Sequence, residues 1–359
     1  MKKSLIALAA VAATGAAMAQ SSVTVYGVVD TSVAYVNGKE NVSGLLNSGN
    51  GTSRLGFRGV EDLGNGLKAE FVLEGQVNPD DGGSSFDFKR QSTVGLTSAD
   101  FGTVRLGRAL TASYNAVSRY DMFGTVGLGS TLAWNKYVAV AADPTANPVV
   151  TEESLGYANR ANNMISYYTP KFAGFGVGID YGFGEQEKNS TARYVGVGAT
   201  YDNGPLSLGL GYDKQNNGLT TSGFAADYNG TTWQLGGSYD FGVAKLAAFY
   251  KETKYKEVTT SDSTKLKTYN VGVSAPVGAA GVVKAAYNNY KWSDSSAKAQ
   301  QLSLGYVHSL SKRTSLYGTY SYLKNKNDAQ FQLNGAFAGA GLKDSGKQQG
   351  LQVGVRHNF

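Results

Sequence analysis

The chain has 359 residues, of which 17% are charged, with 47 Gly, 23 Tyr, no Cys and a formal net charge of +6. Soluble domains average about 25% charged residues and about 7% glycine, so the composition argues against an ordinary soluble enzyme. The lack of Cys excludes a disulfide framework and any thiolate metal site.

In chain order, the first element is a secretion signal. Lys2 and Lys3 precede the apolar run from Leu5 to Ala13, and Ala17-Met18-Ala19 is a small-x-small cleavage site. Residues 1–19 are therefore expected to be removed. The mature chain, 20–359, would keep a net charge of +4. The apolar run is too short to span a bilayer as a helix, and no later segment reaches 18 consecutive apolar residues.

Beyond the signal the chain alternates with period two, in runs of about ten residues. Phe175, Val177, Ile179 and Tyr181 alternate with Gly176, Gly178, Asp180 and Gly182. Leu206 to Asp213, Thr232 to Tyr239, Tyr269 to Ser274 and Leu351 to Arg356 repeat the pattern. The polar positions are small and glycine-rich, and the apolar positions often end in Tyr, Phe or Trp. This is the pattern of strands with lipid on one side and water on the other. A soluble sandwich also alternates, but its outer face would carry more Lys and Glu.

Short turns at 61–66, 99–102, 170–174, 202–205, 240–242, 276–281 and 310–313 alternate with longer polar stretches. The latter lie near 37–52, 76–87, 111–158, 184–191, 215–230, 255–264, 293–297 and 326–347. Seven turns and eight loops imply sixteen strands with both chain ends on one side. The expected fold is all-β: one domain, a 16-stranded antiparallel transmembrane β-barrel, with short periplasmic turns and long extracellular loops. Closure is obligatory, because lipid offers no partner to an open strand edge. Sixteen strands should leave a water-filled lumen. Arg54 and Arg58 take lumen parity, since they alternate with Leu55 and Phe57, and Lys68 and Glu70 do so beside Leu67, Ala69 and Phe71. Arg90 shares parity with Val94 and Leu96, which would turn it outward and make Lys89 the lumen residue unless a bulge intervenes.

The segment from Ser53 to Ala69 resembles the second and third strands of general trimeric porins of Gram-negative bacteria, above all those of β-proteobacteria such as Neisseria, Bordetella, Burkholderia and Comamonas. Val23 to Asp30, Val94-Gly95-Leu96, Phe101 to Arg108 and the ending Val353 to Phe359 are similar to further parts of that family. The resemblance implies a homotrimer in the outer membrane, in contact with its lipid and lipopolysaccharide, that passes small hydrophilic solutes and ions. It implies a third loop, here about 111–158, folded into the lumen to narrow it. By local context Arg54, Arg90 and Arg160 match the family's constriction arginines. Glu70 matches an acid among them, and Asp121, in Tyr120-Asp121-Met122-Phe123, matches the acid of the loop tip. The tip's usual second acid is missing. An excess of arginine at the neck would favour anions. Phe359, an aromatic last residue on an alternating strand, resembles the signal read by the outer-membrane assembly machinery. Asp80 or Asp81 in the second loop would reach an arginine such as Arg108 of a neighbouring subunit.

Other functions find little support. His308 and His357 are the only histidines, and neither sits in a nucleophile–base–acid arrangement. No metal-ligand cluster, cofactor motif or basic stripe for nucleic acid stands out. A substrate-specific channel, or a structural or adhesive barrel, remains the alternative to general diffusion.

Overall fold

The computed structural model describes residues 22–83, 86–134, 159–184, 192–216, 228–257 and 261–359. The signal segment 1–19 and the later part of the third loop, including Asp143, Glu152 and Glu153, lie outside the described residues.

Sixteen strands succeed one another round the wall. They are β1 (Ser22–Asn37), β2 in two halves (Asn41–Asn47 and Arg54–Gly64), β3 (Leu67–Gln76), β4 (Gln91–Ser98) and β5 (Gly102–Leu110). Next come β6 (Arg160–Tyr168), β7 (Phe175–Gly182), β8 (Tyr194–Asn203), β9 (Leu206–Asn216), β10 (Tyr228–Asp240) and β11 (Lys245–Glu257). The last are β12 (Ser263–Val277), β13 (Gly281–Trp292), β14 (Lys298–Ser309), β15 (Thr314–Lys326) and β16 (Lys347–Asn358). Each pairs antiparallel with the next, and β16 returns to β1 in a register running from Val28 opposite Asn358 to Asn37 opposite Gln349. The barrel is closed, as the chemistry of the bilayer requires.

Alternation is borne out on the wall. Leu208, Leu210, Val271, Val273, Val353 and Val355 are exposed on the outer face, and Tyr167, Tyr181, Tyr212, Tyr239, Tyr306 and Tyr320 stand there too. Tyr201 stacks on Phe175 at 4.4 Å.

The first expected loop, 37–52, is half strand. Residues 38–40 turn; Asn41–Asn47 pairs with β1, and the chain then leaves the sheet at 48–53 before resuming as Arg54–Gly64. Of the three apolar residues in Asn41–Asn47, Leu45 faces outward, whereas Val42 and Leu46 face inward. There they pack against a buried cluster that includes Leu333 of the eighth loop, as do Phe337 and Leu342. The break at 48–53 is pinned by the inward-facing Asp30. Its Oδ1 accepts from Gly49 N at 2.9 Å and from the Tyr317 hydroxyl at 2.5 Å, and its Oδ2 accepts from Asn50 N at 3.0 Å. Strands also run further into the fifth and sixth loops than expected, to Asn216 and Glu257, and restart at Tyr228 and Ser263.

Candidate functional site

The third loop begins with a helix, α1 (Ala112–Val117), capped by the Thr111 hydroxyl, which accepts from Tyr114 N. Two inward wall carboxylates hold its start. Asp180 Oδ2 accepts from Ala112 N at 2.5 Å, and Asp213 accepts from the Ser113 hydroxyl at 2.7 Å.

The inward glycines have a specific use here. A Cβ on Gly198 would collide with the Ala112 carbonyl oxygen, and one on Gly209 with that of Ala116. Further on, Gly236 meets the Tyr120 ring, Gly272 meets Met122, and Gly305 meets Phe123. Inward glycine on β7 to β14 is thus a track on which the loop lies flat, rather than simply an unobstructed lumen face. At the far end Leu128 N donates to Gln352 Oε1 at 3.1 Å, and a Cβ on Gly127 would collide with the Gly49 carbonyl in the break of β2. The chain then turns back: Leu132 N donates to the Tyr290 hydroxyl at 2.9 Å, and Lys251 Nζ donates to the Ala133 carbonyl at 2.9 Å. Trp134 packs on Phe249 and Tyr114, with ring centroids 5.1 and 5.4 Å away.

Asp121 is part of this internal architecture. Its carboxylate is buried and accepts from Phe123 N at 3.0 Å and Thr131 N at 3.2 Å. Burial raises its pKa from 3.8 to about 6, although the backbone donors and the Lys284 charge pull the other way. The acid expected to face the pore from the loop therefore turns into the loop. No other carboxylate belongs to the loop's described residues, 111–134.

The loop's wall contacts run along β7 to β16, and the cationic residues gather on the inner wall of β2 to β6. Register fixes their direction. Arg58 is opposite Thr24, Arg54 opposite Val28 and Gln76, and Lys68 opposite Thr97, all on the face away from Val25, Leu73 and Val94. Arg90 lies just before β4, and its N–H still donates to the Glu74 carbonyl at 3.1 Å although Glu74 is already opposite Gln91. Two residues thus oppose one, the bulge-like arrangement that lifts the parity rule, and the Arg90 Nε reaches Glu74 Oε1 at 2.8 Å. Lys89 instead pairs with Asp87 at 2.6 Å. Arg160 Nε donates to the Arg90 carbonyl at 2.7 Å. Arg54 Nε stands 3.3 Å from Glu74 Oε2, an ion pair without an aligned hydrogen bond. The Tyr26 hydroxyl donates to the same oxygen at 3.0 Å, while Arg58 lies over the Tyr26 ring at 5.2 Å.

Glu74, which sequence reasoning did not single out, is thus the carboxylate that joins Arg54 to Arg90. Glu70 serves a different arginine: Arg105 Nη2 reaches its Oε1 at 2.9 Å. Parity with Lys68 and Glu70 was the available signal for Glu74. Six cations on this arc (Arg54, Arg58, Lys68, Arg90, Arg105, Arg160) face three carboxylates: Glu70, Glu74 and, near the β2–β3 turn, Asp62 opposite Lys68.

Residues 5–328 match the sequence family described as Gram-negative porin. The outer membrane porin protein 32 of Delftia acidovorans is 48% identical over the full length of both chains. An outer membrane porin protein of Bordetella pertussis is 34% identical, again over both full lengths. A solved structure described as an anion-selective porin from Comamonas acidovorans superposes with a TM-score of 0.83 at 44% identity, covering 95% of this chain and all of the other.

The chain belongs to the Gram-negative porin family. This porin is an integral outer-membrane protein, so its short turns are periplasmic and its long loops extracellular. At the periplasmic seam Phe359 completes the closure: its N–H donates to the Gly27 carbonyl at 3.1 Å, and its ring covers Gly27 on the outer face. In the second loop, Asp81 caps its own turn by accepting from Gly83 N at 2.7 Å. Arg108 donates to the Lys89 carbonyl and to Asn162, both within the same chain. His308 and His357 bond Tyr306 and Thr314 at the periplasmic end.

Proposed function

We propose that this porin is a passive, water-filled, anion-preferring channel for small hydrophilic solutes and ions, with no enzymatic activity. Its constriction lies between the third loop and the basic arc formed by Arg54, Arg58, Lys68, Arg90 and Arg160, with Glu70 and Glu74 as local counter-charges. The supporting observation is the six-to-three excess of cations on β2 to β6, facing a loop whose one acid in the described part is turned inward. Wall charges act over about 8 Å at physiological salt, comparable to the width of a neck. Rings of Arg and Lys favour anions. The description of the Comamonas relative as anion-selective is consistent with this reading.

Asp121 acts here as the organiser of the loop and not as an acid facing the ions. The channel works as a homotrimer whose contact face is the outer wall of β1 to β5, where Val25, Val29, Val33, Val94 and Leu96 are exposed. The chain enters through cleavage after residue 19, and the assembly machinery reads Phe359.

The test is the zero-current potential of the refolded protein in a planar bilayer under a KCl gradient. Closure in three steps with a potential on the anion side is expected. Arg54→Glu and Arg160→Glu should each move the potential toward cation preference. If neither does, these arginines do not line the constriction. Conductance that saturates with one solute would replace general diffusion by a substrate-specific channel.

A further inference from the structure

The outer face carries a second set of cations that the pore does not use. On β12 the outward residues read, from the extracellular end, Lys265, Lys267, Tyr269, Val271 and Val273, and β11 runs the same way from Lys254 through Tyr250 to Leu246. Aliphatic residues give way to an aromatic girdle, and the girdle to lysine.

Register places these lysines in line. Lys267 is directly opposite Lys291, Lys291 opposite Lys298, and Lys298 opposite Lys326, so four neighbouring strands carry one continuous ladder. Lys254 faces Lys265 and Lys324 faces Lys347 on either flank. Directly opposed like charges destabilise a sheet, and adjacent strands stand only about 4.8 Å apart. Glu252 bridges to Lys265 at 2.8 Å and to Lys267 at 3.8 Å, at one end of this band. On β1 to β5 the outward positions carry no lysine, and Arg108 is engaged within the chain.

We propose that the lysine ladder on β12 to β15 binds the phosphate groups of outer-leaflet lipid headgroups. Three features favour this occupant. The lysines point away from the lumen, so solutes in transit do not meet them. Lys267 sits one outward step beyond Tyr269 of the Tyr250–Tyr269 pair, and Lys291 and Lys326 sit two steps beyond Tyr287 and Tyr322, so the lysines lie on the extracellular side of the aromatic residues, where headgroups are. Their long stems can lie along apolar wall while the ammonium groups reach upward. A multiply phosphorylated headgroup would turn the repulsion along the ladder into attraction. The assignment rests on the outer-membrane reading but not on anion preference in the pore.

The experiment uses full-length protein refolded into phosphatidylcholine nanodiscs containing either diphosphorylated lipid A or the same lipid with its phosphates removed. Native mass spectrometry counts retained lipid. Wild type should retain the phosphorylated lipid selectively. A variant carrying Lys291→Gln, Lys298→Gln and Lys326→Gln should retain it about a hundred-fold more weakly, each lysine contributing about five-fold at an anionic lipid surface. The variant's zero-current potential should stay that of wild type, which separates this site from the pore. Equal retention by variant and wild type would overturn the proposal, as would equal retention of the two lipids. Complete displacement of lipid A by inorganic phosphate would point to a free-anion site and also overturn it. So would a shifted potential with lipid retention unchanged, because it would put these lysines on the ion path.

Discussion

Glu74→Gln removes the carboxylate shared by Arg54 and Arg90 while keeping shape and one acceptor oxygen. Glu74 is 13% exposed and Arg90 14%, whereas Arg54 is 33% exposed and partly screened. The lost charge-assisted contacts are worth about 1–3 kcal/mol, the Arg54 share lying at the low end. The barrel, held by sixteen paired strands, should survive this. The effect on selectivity comes from Coulomb's law. One unit of negative charge removed at about 5 Å from the ion path, in a water-like medium screened over about 8 Å, changes an ion's energy by about 0.45 kcal/mol. Anions gain that amount and cations lose it, so the anion-to-cation permeability ratio should rise about four-fold. The assay is the zero-current potential in a KCl gradient, with heat-modifiable migration on gels as the control for folding. An unchanged ratio would mean that Glu74 lies off the ion path. A fall in the ratio would mean that the freed arginines swing away from the pore, and the electrostatic reasoning would be refuted.

Gly198→Val should dislodge α1, because a Cβ there would collide with the Ala112 carbonyl; single-channel recordings should show altered conductance and added noise from an otherwise folded barrel. Asp121 should titrate near pH 6 by infrared difference spectroscopy, and the signal should vanish in Asp121→Asn. Since its folded pKa lies above the unfolded 3.8, the ionised form is the costly one. The cost is absent below about pH 4, reaches about 3 kcal/mol above pH 6, and so loosens the loop as pH rises. Tyr317→Phe removes the buried hydroxyl that donates to Asp30 and should lower stability by about 1–3 kcal/mol, read as a lower unfolding temperature in detergent. A wild-type unfolding temperature would mean that Asp30 holds the break at 48–53 without it.

The wall of this porin was legible in the sequence because strand alternation is a local property. Each of Leu208, Val271 and Val353 faces lipid as the mere consequence of its place in an alternating run, and closure results from the absence of hydrogen-bond partners in hydrocarbon. The same parity gave the direction of Arg54, Arg58, Lys68 and Glu70 without any knowledge of their neighbours. It misled wherever the chain leaves the regular sheet or turns its apolar side inward. Arg90 joins Glu74 because Arg90 and Gln91 both oppose that residue at the start of β4. Asn41–Asn47 resembled loop because Val42 and Leu46 are covered by a segment almost 300 residues further on. The partners were equally invisible: that Glu74 rather than Glu70 joins Arg54 to Arg90, and that Asp121 spends its charge on Phe123 and Thr131, depend on where side chains distant in sequence meet. The inward glycines show the division most plainly. Their alternation along each strand was enough to specify a small-residue lumen face. That the space they leave is filled by the third loop emerges only when the barrel is closed, because close packing of backbone on backbone is a property of two segments and is written in neither alone.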